Sequence, residues 1–322
     1  MASLLLLQVA QAQIDTSRLS KMLGQEKAQF GGRMAVMVWR DSILFQKATG
    51  EDFTVNTQDN AGCSSAWFTA ALVMTFVDQG KISLDDKVSK YLPVYATYAK
   101  KYLTIRHCLA NVTGLAGEKG GVERFFQKKK FETLEDEVNA YASGREIVNN
   151  PGEAFNYNDV GTNIAGRVLE VVGKKNFDRL AMERIFRPCG MKKTSFASDR
   201  AINPFSGAVS TAADYLKFLQ MLRNKGTLNG KKVLSEASVA EMQKMQTGSA
   251  KTVFVPKLVE GESYGLGNWI QGGGIFNCPG LSACWPWINV PKNYVCIIFG
   301  TPKDKENKKV FSDIIDAVDG GL

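Results

Sequence analysis

One thiol in this chain stands where a nucleophile is useful. The stretch Asn60 to Lys90 reads NAGCSSAWFTAALVMTFVDQGKISLDDKVSK, and from Ser64 to Val77 nearly every position is small or apolar, with no Gly or Pro. A helix apolar on all faces leaves no stripe for water, so it lies inside a larger body. Ser64 or Ser65 is expected to cap its start, and Gly80 stands where a left-handed C-terminal residue belongs. Cys63 therefore sits at the N-terminal mouth of a central helix, where free N–H groups and the helix dipole favour negative charge. The chemistry this suggests is attack by a thiolate whose pKa the helix lowers.

The other chemically capable residues are sparse. Six cysteines, at 63, 108, 189, 278, 284 and 296, include no C-x-x-C pair, and His107 is the single histidine. Neither a zinc site nor any other cofactor is expected. Cys108, Cys189 and Cys296 each stand among apolar neighbours and read as small core residues. A chain of 322 residues that is 44% apolar and 22% charged is long enough for a substantial core and ordinary for a globular protein. Its formal charge of +8 comes from scattered lysines such as Lys128 to Lys130 and Lys174-Lys175, which read as solvated faces. Without clustering or aromatic interleaving they exclude nucleic acid as a partner.

The elements that must hold Cys63 follow from periodicity. MASLLLLQVAQAQ at the start ends in Ala10-Gln11-Ala12, a small-x-small pattern that reads as the remnant of a secretory signal over 1–12. The expectation is an exported protein, periplasmic or extracellular, with no stable membrane span. Asp15 to Phe30 is helical in pattern, and Arg33 to Val38 with Ser42 to Ala48 forms a hairpin. Helical periodicity then dominates to about Ser235. Three β-like runs follow, Tyr264 to Gln271, Cys284 to Asn289 and Tyr294 to Phe299, before a helix around Val310 to Val318. Strands at both ends with helices between them imply one discontinuous sheet domain, formed by 13–61 plus 236–322, and an all-helical domain inserted over 62–235.

The opening stretch resembles the serine β-lactamase and penicillin-binding-protein-like hydrolases, in the branch of class C β-lactamases, D-aminopeptidases and esterases. Trp67-Phe68-Thr69-Ala70 and Val77-Asp78-Gln79-Gly80-Lys81-Ile82-Ser83-Leu84-Asp85-Asp86 through Tyr91-Leu92-Pro93 match that family almost letter for letter. Leu103 to His107, Thr113-Gly114-Leu115, Pro151 to Tyr157 and Arg184 to Met191 extend the resemblance over nearly the whole chain. On this alignment His107 is a structural residue of its segment. The resemblance implies the family's α+β fold, an α/β sandwich whose antiparallel sheet is flanked by N- and C-terminal helices, with an active site between sheet and helices. It places Cys63 at the nucleophilic Ser and Ala66 at the Lys of Ser-x-x-Lys. The Tyr-x-Asn motif reads Tyr157-Asn158-Asp159, so Tyr157 is kept and Asp159 adds a carboxylate that would repel acidic substrates. The Lys/His-x-Gly motif falls around Asn277-Cys278-Pro279-Gly280, where Cys278 supplies no charge and Gly280 survives for substrate binding.

Family chemistry needs a hydroxyl nucleophile and, one helical turn on, the Lys that deprotonates it. Both are absent, and no serine in the chain has Lys three residues later. The sequence thus points to a non-catalytic relative that binds a small-molecule or peptide ligand in the family cleft. The alternative is a hydrolase of amides, esters or β-lactams that uses Cys63 as nucleophile, although Ala66 cannot activate water. Cys63 and Cys278, at positions that face each other across the family pocket, are expected to be able to form a disulfide. Cys63→Ser with Ala66→Lys is expected to restore slow acylation provided that cleft and oxyanion donors are intact.

Overall fold

The computed structural model describes residues 16–117, 131–281, 284–300 and 308–321. The expected export segment at 1–12 lies outside them. The two ends of the chain meet in one antiparallel sheet. β1 (Met34–Trp39) and β2 (Ile43–Thr49) form the expected hairpin, with a bulge between Val38 and Trp39. Along its other edge β1 pairs with the last strand, β13 (Tyr294–Phe299), from Ala35 opposite Phe299 to Trp39 opposite Val295. β12 (Cys284–Asn289), β11 (Ile275–Asn277), β10 (Trp269–Gly272) and β9 (Ser263–Tyr264) complete the order β2-β1-β13-β12-β11-β10-β9.

β12 and β13 are buried at every position because helices cover the sheet. α8 (Ala212–Arg223) packs on β13, β1 and β12. The face carrying Trp285 is covered by α10 (Lys308–Gly321), whose Phe311 ring lies 4.2 Å from that of Trp285. α1 (Thr16–Glu26) packs beside α10, and the following Phe30 meets Phe311 edge-on at 5.5 Å.

Two strand expectations need correction. Tyr264 to Gln271 is not one strand: it divides into β9 and β10 around a turn in which Gly267 has φ +72°. A Cβ on Gly267 would lie 2.5 Å from the Ala66 carbonyl oxygen, so the chain bends there to meet the central helix. β11 went unforeseen because it is three residues long and follows Gly272, Gly273 and Gly274, which read as loop.

Between β2 and β9 the chain is mainly helical. α2 (Ser65–Asp78) is the central helix, buried from Ser65 to Phe76. Its end follows the expected pattern: Gly80 N–H donates to the Val77 carbonyl at 2.8 Å and Lys81 N–H to that of Phe76 at 3.0 Å, a Schellman motif. α6 (Val160–Gly173), α7 (Phe177–Ala181) and α9 (Glu236–Met242) pack on it, α4 (Ile105–Leu109) and α5 (Leu134–Gly144) pack on α6, and α3 (Val94–Thr97) packs on α5. Three short strand pairs join the loops: β3 (Asp59–Asn60) with β5 (Val209–Ser210), β4 (Ala154–Asn156) with β8 (Lys251–Phe254), and β6 (Thr227–Leu228) with β7 (Lys231–Lys232). α8, from 62–235, lies on the sheet, and α9, from 236–322, lies on α2, so the buried residues form one continuous core. His107 is structural: its N–H donates to Thr104 Oγ1 at 3.2 Å and its Nδ1 accepts the Thr104 N–H at 3.3 Å, closing a box at the start of α4. Among the described residues no helix is long and apolar enough to cross a membrane.

Candidate functional site

The turn Gly62–Ser64 leads into α2 and carries Cys63. Against it lies the turn that joins β11 to β12, beginning Cys278-Pro279-Gly280-Leu281. The contact is made by hydrogen bonds in both directions. Cys63 N–H donates to the Gly280 carbonyl at 3.0 Å. The Cys278 thiol donates to the Cys63 carbonyl at 3.6 Å and to the Gly267 carbonyl at 3.3 Å. Gly280 has to be glycine here, because a Cβ would lie 2.2 Å from the Ala61 carbonyl oxygen.

The two serines do not cap α2. Ser64 Oγ donates to the carbonyls of Cys278 and Cys284, the latter at 3.2 Å, while Ser65 Oγ donates to the Gly62 carbonyl at 2.6 Å and accepts the Ala208 N–H at 3.0 Å. Each hydroxyl is drawn from helix capping by a carbonyl that burial leaves without water. Ser64 was not foreseen as a site residue. Its only signal was its place beside Cys63.

All the expected site residues come together except that Asp159 stands back from the core. Cys63, Ala66 and Cys278 have 0% of their surface exposed and Tyr157 has 1%. Asp159 is half-buried at the N-terminus of α6. The space beside Tyr157 is filled by aromatic rings: Trp269 at 5.0 Å, Phe205 at 5.2 Å and Tyr264 at 5.7 Å between centroids. Tyr264 and Trp269 were legible only as members of an apolar run. Ala66, one turn along α2, is fully buried, and its carbonyl oxygen lies against the Gly267 turn.

These surroundings reverse the expected electrostatics of Cys63. Burial drives its pKa well above the ordinary thiol value, and neighbouring Cys278 and the Asp159 carboxylate push the same way. A hydrogen bond from Tyr157 offsets this only in part. The helix N-terminus does not prevail: the lowering contribution of the Cys63 N–H is smaller than the effect of burial. Tyr157 is likewise pushed well above its usual range, chiefly by burial and then by Cys63, Tyr264 and Cys278, against a weaker hydrogen bond from Trp269. It cannot serve as a base near neutral pH.

Backbone N–H groups where the two turns meet are also engaged within the protein. Cys63 N–H goes to Gly280, Cys278 N–H to Pro286 at 3.2 Å and Gly280 N–H to Cys284 at 2.6 Å, while Pro279 has no N–H. The disulfide considered between Cys63 and Cys278 is not formed. All six cysteines are free and buried. No group of three or more His, Cys, Asp or Glu among the described residues is arranged to hold a metal ion. Native protein at pH 8 is therefore expected to show no rapidly reacting thiol toward a disulfide reagent, and six after denaturation. Fast modification that maps to Cys63 in the folded protein would contradict this geometry.

A sheet between terminal helices, with the Cys63 turn, Tyr157 and the Gly280 turn converging at one point, defines the fold and site of a β-lactamase-like hydrolase. Residues 24–318 match the family model described as Beta-lactamase, and the chain belongs to that family. Penicillin-binding protein 4 of Amycolatopsis lactamdurans is 25% identical over 278 residues, covering 74% of this chain and 71% of that protein. Other relatives are longer, and the chain spans 56% and 38% of two of them. Among solved structures, a protein from Bacteroides dorei DSM 17855 assigned as a beta-lactamase superposes with a TM-score of 0.84 at 26% identity, covering 95% of this chain and 99% of that one. The octameric penicillin-binding protein homologue of Pyrococcus abyssi shares the fold, with a TM-score of 0.77 at 18% identity over 96% of this chain and 79% of its own.

Proposed function

We propose that this chain is a non-hydrolytic member of the β-lactamase family, in which the catalytic cleft has become packed core, and that it acts by binding rather than by acyl transfer. The single observation that carries the reading is the Cys63 N–H donating to Gly280, in a site where Cys63 has no exposed surface. A carbonyl of the protein itself sits where a substrate's oxyanion would have to form. Loss of the base at Ala66 and the upward displacement of Tyr157 support the same conclusion. Binding in the family cleft, on this reading, takes place at its rim, where the half-buried Asp159 carboxylate favours a neutral or cationic small molecule or peptide. Export, carried by the Ala10-Gln11-Ala12 pattern, belongs to the same proposal, and the intact mass of protein from its native host tests it.

A second reading, hydrolysis by Cys63, has one observation in its favour: the Tyr157 hydrogen bond stabilises the thiolate. The decisive experiment incubates the folded protein with a fluorescent β-lactam and with p-nitrophenyl acetate, following intact mass and product release. We expect no adduct and no release above buffer. Saturable turnover that disappears in Cys63→Ala would establish the cysteine hydrolase instead.

A further inference from the structure

The other end of α2, roughly 20 Å along the helix from Cys63, opens on a groove of about 560 Å³ that no part of the family site reaches. Its walls include Asp78, Glu183, Arg184, Lys232, Val233 and Leu234. Both carboxylates are already engaged by the protein. Asp78 accepts from Ser235 N–H at 2.7 Å and from the Ser235 and Ser238 hydroxyls at 2.6 Å each. Glu183 accepts from Lys175 at 2.6 Å and Arg179 at 3.0 Å.

Arg184 is different. Its guanidinium lies 4.0 Å from the centre of the Phe76 ring, over which Lys81 also sits at 5.8 Å. No hydrogen bond or ion pair joins Arg184 to any described residue. The other half-buried arginines all have acceptors: Arg40 on Lys292, Arg106 on Asp85 and Glu241, Arg145 on Ala116, Arg167 on Glu135 and Glu170, and Arg223 on Asn224. Partial burial lowers the pKa of Arg184, and the neighbouring Glu183 carboxylate, itself held by Lys175 and Arg179, offsets this only in part. Lys232 lines the same groove and has no carboxylate partner among the described residues.

We propose that this groove binds a small organic oxyanion, a carboxylate or phosphate on an apolar body, with Arg184 as its principal ligand and Lys232 as a second cation. A guanidinium offers paired N–H donors that match an oxyanion, and stacking on Phe76 fixes its plane before the ligand arrives. Val233 and Leu234 supply an apolar wall for the remainder of the ligand.

The test follows the Arg184 side-chain Nε–H resonance and the backbone amides of Thr75 and Ser235 in the full chain. Inorganic phosphate and benzoate are titrated separately at constant ionic strength, so that the two anion types are distinguished. A saturable shift with at least one probe is expected, weakened tenfold or more in Arg184→Gln and unchanged in Cys63→Ala. Absence of a saturable shift with both, or shifts that survive Arg184→Gln, would overturn the site. Should Arg184→Gln not fold, Lys232→Gln takes its place: weakened binding supports the proposal and unchanged binding refutes it. The site is independent of Cys63, so its failure leaves the non-hydrolytic reading untouched.

Discussion

Cys63→Ser combined with Ala66→Lys is expected to give a protein roughly 4–5 kcal/mol less stable than the parent and still unable to form an acyl-enzyme. Restoring both residues of the family motif would repair a site whose surroundings were intact, because nucleophile and base act as a unit. Here they are not intact. Ala66 is fully buried, and the Gly267 turn stands against its carbonyl. A Lys forced into that space must lose its charge at neutral pH, which over about 3.4 units from an unfolded value near 10.4 gives the penalty stated. The new hydroxyl at 63 would still face a hole already filled by the Gly280 carbonyl.

The pH dependence follows from the same argument. A Lys whose folded pKa is depressed is protonated more in the unfolded state, so stability rises with pH between the folded value and about 10.4. The penalty of the double variant should therefore shrink as pH is raised from 7 to 9. Urea unfolding at several pH values, with intact mass after exposure to a fluorescent β-lactam, measures both parts. Labelling of the serine at 63 would show that the turn yields readily and that the site is latent rather than sealed.

Trp269→Ala is expected to cost about 3–5 kcal/mol and to open the family pocket from the side. Trp269 is 1% exposed and touches Tyr157, Tyr264 at 4.7 Å and Phe155 at 5.7 Å, so its removal leaves a cavity that the sheet cannot close. The cavity lies beside Tyr157, which hydrogen-bonds Cys63. Alkylation of Cys63 by iodoacetamide should therefore be faster than in the parent under conditions where both remain folded. Peptide mapping of the modified protein identifies the thiol. A variant of near-parental stability would mean that the aromatic rings repack, and that Trp269 is not what fills the site.

Much of the architecture was legible because it rests on local pattern. The unbroken apolar run from Ser64 to Val77 allows only a buried helix, and Gly80 marks its end. Cys284 to Asn289 and Tyr294 to Phe299 are strands to the residue, since six consecutive buried positions need cover on both faces. Where glycines carried long-range contacts, pattern misled. Gly267 breaks a strand because α2 lies against it, and nothing within the run from Tyr264 to Gln271 shows that neighbour.

The sequence by itself determined the identities at the site: a thiol at 63, no amine at 66, Tyr157 kept and Asp159 added. Those identities remove the family's base and hydroxyl wherever they fold. Only the tertiary structure decided the state of the thiol, because its pKa depends on lost hydration and on Cys278, which lies more than two hundred residues away in the chain. A helix N-terminus read alone predicts a lowered pKa. With Cys63 fully buried, desolvation outweighs the helix, and the cysteine remains a neutral member of the core.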